Sequence, residues 1–213
     1  MKNLFLDLGT NHGQGLLEFN RKYHFINNEK WDIICFEPNP ALNFDFSKIN
    51  NLHMINKAVW VKDDTLTFAR NFLPQHAARD YNSQVPEGFG AQANIGAATS
   101  CGSRLVEGGI LPIAGIHTNH SHPLPDRTQV EAIDFSQWMY ENTKEYNRIV
   151  MKMDIEGAEF AVLRKMISTK AIELIDYLYV ETHERFVDGE TTHTAQALLE
   201  SIRNCNVLVE KWD

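Results

Sequence analysis

The stretch Leu4-Phe5-Leu6-Asp7-Leu8-Gly9-Thr10-Asn11-His12-Gly13-Gln14-Gly15 decides the fold. Leu4-Phe5-Leu6 is a compact apolar run ended by Asp7 and Gly9, the form of a buried strand. After the glycine-rich turn, Leu16, Phe19 and Tyr23 recur at helical spacing. A second apolar run, Ile33-Ile34-Cys35-Phe36, ends at Glu37-Pro38, where the proline closes any ladder. Strand, turn, helix and strand in succession open a parallel α/β sheet.

The same grammar continues outward. His53 to Trp60 and Thr65 to Ala69 read as two further strands. Beyond residue 130, Ile149-Val150-Met151 leads through Lys152-Met153 to Asp154, an apolar strand ending in a carboxylate. Phe160, Leu163, Met166 and Ile167 then predict a helix face. Tyr177 to Val180 predicts a strand ending in Glu181-Thr182-His183-Glu184. Ala195, Leu198, Leu199 and Ile202 predict a second helix, capped by Thr191 or Thr192, and Val207 to Val209 a last strand. The expected fold is a Rossmann-like, doubly wound α/β domain with a mostly parallel sheet, residues 1–213 forming a single unit.

Residues 71–129 break the pattern. They hold seven of the twelve glycines, five of the seven prolines, four histidines and no lysine, and only seven of the 59 residues are charged. Such a segment between the third and fourth core strands is expected to be an insertion covering the substrate side of the site.

Composition narrows the function. The chain has 213 residues, 43% hydrophobic, with 20 basic against 28 acidic side chains and a formal net charge of −8. That balance disfavours a nucleic-acid partner, and no Lys/Arg-rich run offsets it. Three separated cysteines, Cys35, Cys101 and Cys205, describe no disulfide framework and point to a reducing, cytoplasmic setting. No apolar run approaches the length of a membrane span, and none is expected.

The turn itself calls for close approach of backbone to a ligand. Its spacing departs from the dinucleotide fingerprint GxGxxG, because Asn11 stands where the second glycine belongs. It reads instead as D-x-G-x-N-x-G. Glu37 ends the second strand 24 residues past Gly13, the place where a carboxylate accepts both hydroxyls of a ribose. The alternative is a tight turn and a solvent-facing strand-end glutamate.

Taken together, DLGTNHGQG (7–15), FEPNP (36–40), NKAV (56–59), KMDIEGAEFAVL (152–163) and VETHE (180–184) resemble the FkbM family of S-adenosylmethionine-dependent methyltransferases. The resemblance implies a class I methyltransferase fold with the cofactor over the carboxyl ends of the strands. It also implies transfer of a methyl group to a hydroxyl of a small-molecule, sugar or glycan acceptor. Asp7, Gly9, Asn11 and Gly13 would border the methionine part, Glu37 would take the ribose, and Asn56 to Val59, with Ala58 among them, would lie near the adenine. Thr10 and Gln14 in the turn, Pro38 and Asn39 after the carboxylate, and Asp154 complete the expected cofactor set. The long middle segment and its histidines depart from the family pattern.

If the first and fourth core strands flank the point where strand order reverses, Asp154 faces the turn across the cleft and the strand ending in Glu181 and His183 lies beside it. Asp154, Glu156, Glu159, Glu181, His183 and Glu184 are then candidates for an acidic rim with one imidazole. Glu159 is read as a helix N-terminal carboxylate complementing the dipole. The expected catalytic set is His183, Asp154 and Glu181. Three roles for His183 stand open: general base for an acceptor hydroxyl, ligand with Asp154 and Glu181 to a Mg or Mn ion, or a structural histidine. Ser100, Glu156, His117 and His120 are candidate acceptor contacts; the His117, His120, His122 spacing fits no standard zinc motif. The competing functions are a nicotinamide-dependent oxidoreductase and a non-catalytic cofactor-binding module.

Overall fold

Twelve strands and four α-helices make up the described part of the protein, a computed structural model in which residues 1–70, 87–91, 104–105 and 126–212 are described. The strands are β1 (Asn3–Leu8), β2 (Trp31–Phe36), β3 (Phe44–Asp45), β4 (Leu52–Ile55), β5 (Ala58–Trp60), β6 (Asp64–Arg70), β7 (Gly90–Ala91), β8 (Arg104–Leu105), β9 (Asp126–Asp134), β10 (Arg148–Met153), β11 (Tyr177–Val180) and β12 (Leu208–Lys211). The helices are α1 (Gln14–Tyr23), α2 (Phe135–Asn142), α3 (Glu159–Ser168) and α4 (Thr192–Arg203).

Six strands form one sheet in the order β12-β11-β10-β1-β2-β4, every pair parallel. Chain order runs outward in both directions from the neighbours β1 and β10, so the topological switch point lies between them. This is the Rossmann-like, doubly wound arrangement that the sequence predicts.

Period-two alternation sends the sheet's side chains into two cores. Leu4, Leu6, Leu8, Ile149, Met151 and Met153 pack with buried residues of α2, α3 and α4. Phe5, Ile33, Cys35, Val150 and Tyr179 face the other way, against Leu16 and Phe19 of α1. Asp7 and Lys152 follow the parity of Phe5 and Val150 and are register partners across β1 and β10. They occupy the α1 side, directly beneath the glycine-rich turn.

The predicted helix faces are present. α4 buries Ala195, Leu198, Leu199 and Ile202, and Thr191 caps it in a reciprocal box with Thr194. α3 buries Phe160, Leu163 and Met166, while Ile167 packs only half-buried. The strand expected over His53 to Trp60 divides: β4 closes the large sheet, and β5 opens a second. Between them the Lys57 N–H donates back to the Ile55 carbonyl at 2.9 Å, a turn too tight for one continuous ladder.

The second sheet has the order β5-β9-β6-β8, with β9 parallel to β5 and antiparallel to β6. Much of 71–129 lies outside the described residues. Where it is described it forms strands: β7 pairs with β3, β8 with β6, and β9 begins at Asp126, ahead of the boundary read from composition. Among the described residues no helix is long and apolar enough to cross a membrane.

Candidate active site

The carboxyl ends of β1, β2 and β10 border a cleft. Gly9, Asn11, Glu37, Pro38, Ala58, Asp154 and Glu156, all expected in the site, line it. Phe68 of β6 and Leu105 of β8 complete its apolar side, together with Phe36 and Val59.

One wall is built from backbone. Gly9 and Thr10 both donate to the Phe36 carbonyl, at 2.9 and 3.1 Å, tying the turn to the end of β2. Gly9 sits at φ +78°, and a Cβ there would stand 1.8 Å from the Asp154 carbonyl oxygen, so no side chain fits between β1 and β10. Asn11 is also left-handed, at φ +51°. Its N–H donates to Glu37 Oε2 at 3.0 Å, and the Asn39 N–H donates to Glu37 Oε1 at 2.9 Å. Glu37 is only 5% exposed, and burial pushes its carboxyl up to about 7 against the partial compensation of those two N–H groups.

The remaining expected cofactor residues support this wall. Thr10 is buried, its hydroxyl donating to the Asp7 carbonyl at 3.1 Å. Asn39 is fully buried and accepts the Ala41 N–H at 3.0 Å. Gly13 caps α1 and Gln14 is its first residue, half-buried. Asp7 is buried beneath the turn rather than on the cleft surface.

The other wall is built from charged side chains. Lys152, 4% exposed, places its Nζ 2.7 Å from the Gly9 carbonyl, 3.3 Å from Asp7 Oδ1 and 3.4 Å from Asp154 Oδ2. Burial pulls this ammonium down, but Asp7 and Asp154 outweigh that and hold it above its ordinary value. Burial in turn raises Asp7.

Glu159 opens α3, as expected of a helix N-terminal carboxylate, but does more than face the dipole. It is fully buried; Oε1 accepts the Ile155 N–H and Oε2 the Gly157 N–H, each at 2.8 Å. Oε1 also stands 3.0 Å from His183 Nδ1. That carboxylate pins the strand-to-helix turn after β10, in which Glu156 is left-handed at φ +55° and Gly157 takes φ +107°.

His183 is 3% exposed and stacks on Phe186 with ring centroids 5.4 Å apart. Its Nε2 lies 3.3 Å from Glu181 Oε1, 3.6 Å from Glu156 Oε2 and 4.0 Å from Asp154 Oδ1. Burial would lower the imidazole, but hydrogen bonds to Glu159 and Glu181 and the charges of Glu159 and Glu156 push it up to about 11. A carboxylate stands beside each of its ring nitrogens, Glu159 at Nδ1 and Glu181 at Nε2. The same pairing lowers Glu181. The structure thus brings the expected catalytic trio together, with Asp154 on the cleft and His183 and Glu181 one contact behind it.

Ser100, His117 and His120 lie outside the described residues. Lys152, the clamp role of Glu159, and Phe68 and Leu105 escaped the sequence reading. A lysine inside the apolar run Met151-Lys152-Met153 is the one signal that pointed to a buried partner.

The family model described as the methyltransferase FkbM domain matches residues 7–207, nearly the whole chain. No curated protein and no solved structure matches it. The match spans both walls of the cleft and every motif that lines it, and the chain belongs to the FkbM methyltransferase family.

Proposed function

We propose that this methyltransferase uses S-adenosylmethionine and transfers the methyl group to a hydroxyl of a small polyhydroxylated acceptor, a sugar or glycan. The observation that carries the cofactor is Glu37, a buried carboxylate at the end of β2 on the cleft wall, its two oxygens aimed by the Asn11 and Asn39 N–H groups. The remaining capacity of those oxygens suits two ribose hydroxyls. Phe36, Ala58, Val59, Phe68 and Leu105 offer an apolar slot for a purine ring, and Gly9 with Asn11 leave room for the amino-acid end. When bound, the cofactor supplies an electrophilic methyl group on a sulfonium.

The acidic wall favours a neutral acceptor over an anionic one. Methyl transfer is an in-line displacement, and positioning supplies much of its acceleration. Asp154 and Glu156 on the cleft orient the acceptor hydroxyl, and the rim carboxylates take its proton as the new bond forms. His183, in contact with Glu159 and Glu181, holds those carboxylates in place. Residues 1–213 form one methyltransferase domain, with 71–129 on the acceptor side and a cytoplasmic setting.

A second reading rests on Asp154, Glu159 and His183, each of which offers a ligand atom within 4.8 Å of the others, with Glu181 beside His183. An oxygen-rich set of this kind suits Mg or Mn and would orient and acidify an acceptor hydroxyl. Calorimetric titration of Mn into the cofactor-loaded protein checks it; absence of binding, with activity unchanged by a chelator, removes the ion.

The primary test is calorimetry with S-adenosylmethionine and its demethylated product, S-adenosylhomocysteine. Failure to bind either one sinks the proposal. Radiolabelled methyl transfer to a panel of sugars then identifies the acceptor. Binding without transfer to any acceptor favours a non-catalytic module. Full activity in both Asp154→Ala and His183→Ala overturns the catalytic assignment.

A further inference from the structure

We infer that Lys152 is a positioning residue: its buried ammonium fastens the glycine-rich turn of β1 to Asp154 at the end of β10, and cofactor capture depends on that fastening. The inference rests on the proposed S-adenosylmethionine site and adds a residue that lines no part of the cleft.

The position is costly for a lysine. β10 lies in the middle of the sheet, and its neighbours Val150, Met151 and Met153 are fully buried apolar side chains. An apolar residue would serve packing there as well or better, since buried charge clusters are often neutral or destabilising relative to apolar replacements. What the ammonium supplies is geometry. It has three N–H donors and faces three oxygens. The 2.7 Å bond to the Gly9 carbonyl fixes the peptide at which β1 leaves the sheet. The contact with Asp154 Oδ2 at 3.4 Å fixes the carboxylate on the facing wall. Asp7, its register partner at 3.3 Å, balances the charge from below.

A single side chain therefore spans the switch point and couples the two walls. Its stem runs beneath the start of α1, with Cε 4.0 Å from where a Gly15 Cβ would lie. Without the ammonium the Gly9 carbonyl loses the 2.7 Å hydrogen bond that fixes it, and the Asp7 and Asp154 carboxylates are left to repel one another.

The test uses the full chain, with S-adenosylhomocysteine as the probe, and three variants: Lys152→Met, Asp7→Asn and the double variant. The double variant removes the ammonium without stranding a charged Asp7, so it is expected to fold with a melting temperature close to that of the parent. Its affinity is expected to fall about tenfold or more, because the walls are no longer held in register. Asp7→Asn alone keeps the lysine on Gly9 and Asp154 and is expected to lose clearly less affinity than the double variant. Amide resonances of Gly9, Asn11 and Gly13 should shift in both lysine variants and hardly at all in Asp7→Asn.

A folded double variant that binds as the parent does overturns the inference. So does an Asp7→Asn protein that loses as much affinity as the double variant. A double variant that fails to fold makes the lysine structural and overturns it too. If the parent itself does not bind the probe, the proposed function fails instead, and the amide shifts still decide whether Lys152 holds the turn.

Discussion

The two walls of the cleft are made by different means. The β1–β2 wall is backbone: Phe36 accepts from the turn, and Glu37 is aimed by two peptide N–H groups. The β10–β11 wall is a chain of ionisable side chains: Lys152 with Asp7 and Asp154, then Glu159 with His183, Glu181 and Glu156. A backbone wall tolerates side-chain change wherever the turn conformation survives. A wall of buried charges does not, because removing one member leaves its partners desolvated and uncompensated. The comparison teaches where this protein is brittle.

The largest expected effect is at Glu159. Glu159→Ala strands the Ile155 and Gly157 N–H groups and the His183 ring, and should cost about 3 to 5 kcal/mol of stability, read by urea denaturation. A loss under about 1 kcal/mol would show that the charged wall is no more brittle than an exposed ion pair.

Next is Gly9→Ala, which tests the backbone wall at its tightest point. The added Cβ meets the Asp154 carbonyl at 1.8 Å, and the φ of +78° disfavours an L side chain. A cost of about 2 to 3 kcal/mol is expected, together with loss of S-adenosylhomocysteine binding in calorimetry.

Glu37→Ala should separate binding from folding. Both N–H groups that Glu37 accepts come from adjoining loop peptides, so the fold is expected to survive. Affinity for S-adenosylhomocysteine should fall by about 2 kcal/mol, the loss of two hydrogen bonds to a charged group. An unaltered affinity would move the ribose elsewhere.

The smallest effect is in pH. The Glu37 carboxyl is raised from its ordinary 4.5 to about 7 in the folded protein. A raised acid favours the fold below its unfolded value and loses that contribution as pH climbs from about 4.5 through 7. The ligand-free protein should therefore lose stability across that window relative to Glu37→Gln. Cofactor-product binding should run the opposite way, strengthening through pH 7 as the carboxylate ionises, and Glu37→Gln should flatten both profiles.

How much of this was legible beforehand follows from how each wall is built. Gly9, Asn11 and Glu37 announce themselves because a turn conformation and a strand-end carboxylate depend on residues close together in the chain. The α4 stripe and its Thr191 cap were readable for the same reason. The division of His53–Trp60 between two sheets was not, because each half alone has the alternation of a strand. Glu159 was legible as a helix N-terminal carboxylate, but its contact with His183, 24 positions away, was not. Phe68 read as an ordinary strand residue and Leu105 as part of the insertion, because only the second sheet carries them to the cleft.

By itself the sequence determined the order of the six strands of the large sheet and of α1, α3 and α4, the turn, and the carboxylates that end β2 and β10. These rest on local backbone preference and on the periodicity of apolar residues. The tertiary structure alone decided that Asp7 and Lys152 are register partners, that one ammonium serves both walls, and that His183 is clamped between carboxylates rather than open to an acceptor. Those facts depend on which strands are neighbours and which groups lose their water together, and the energy of a buried charge is set by its surroundings rather than by its place in the chain.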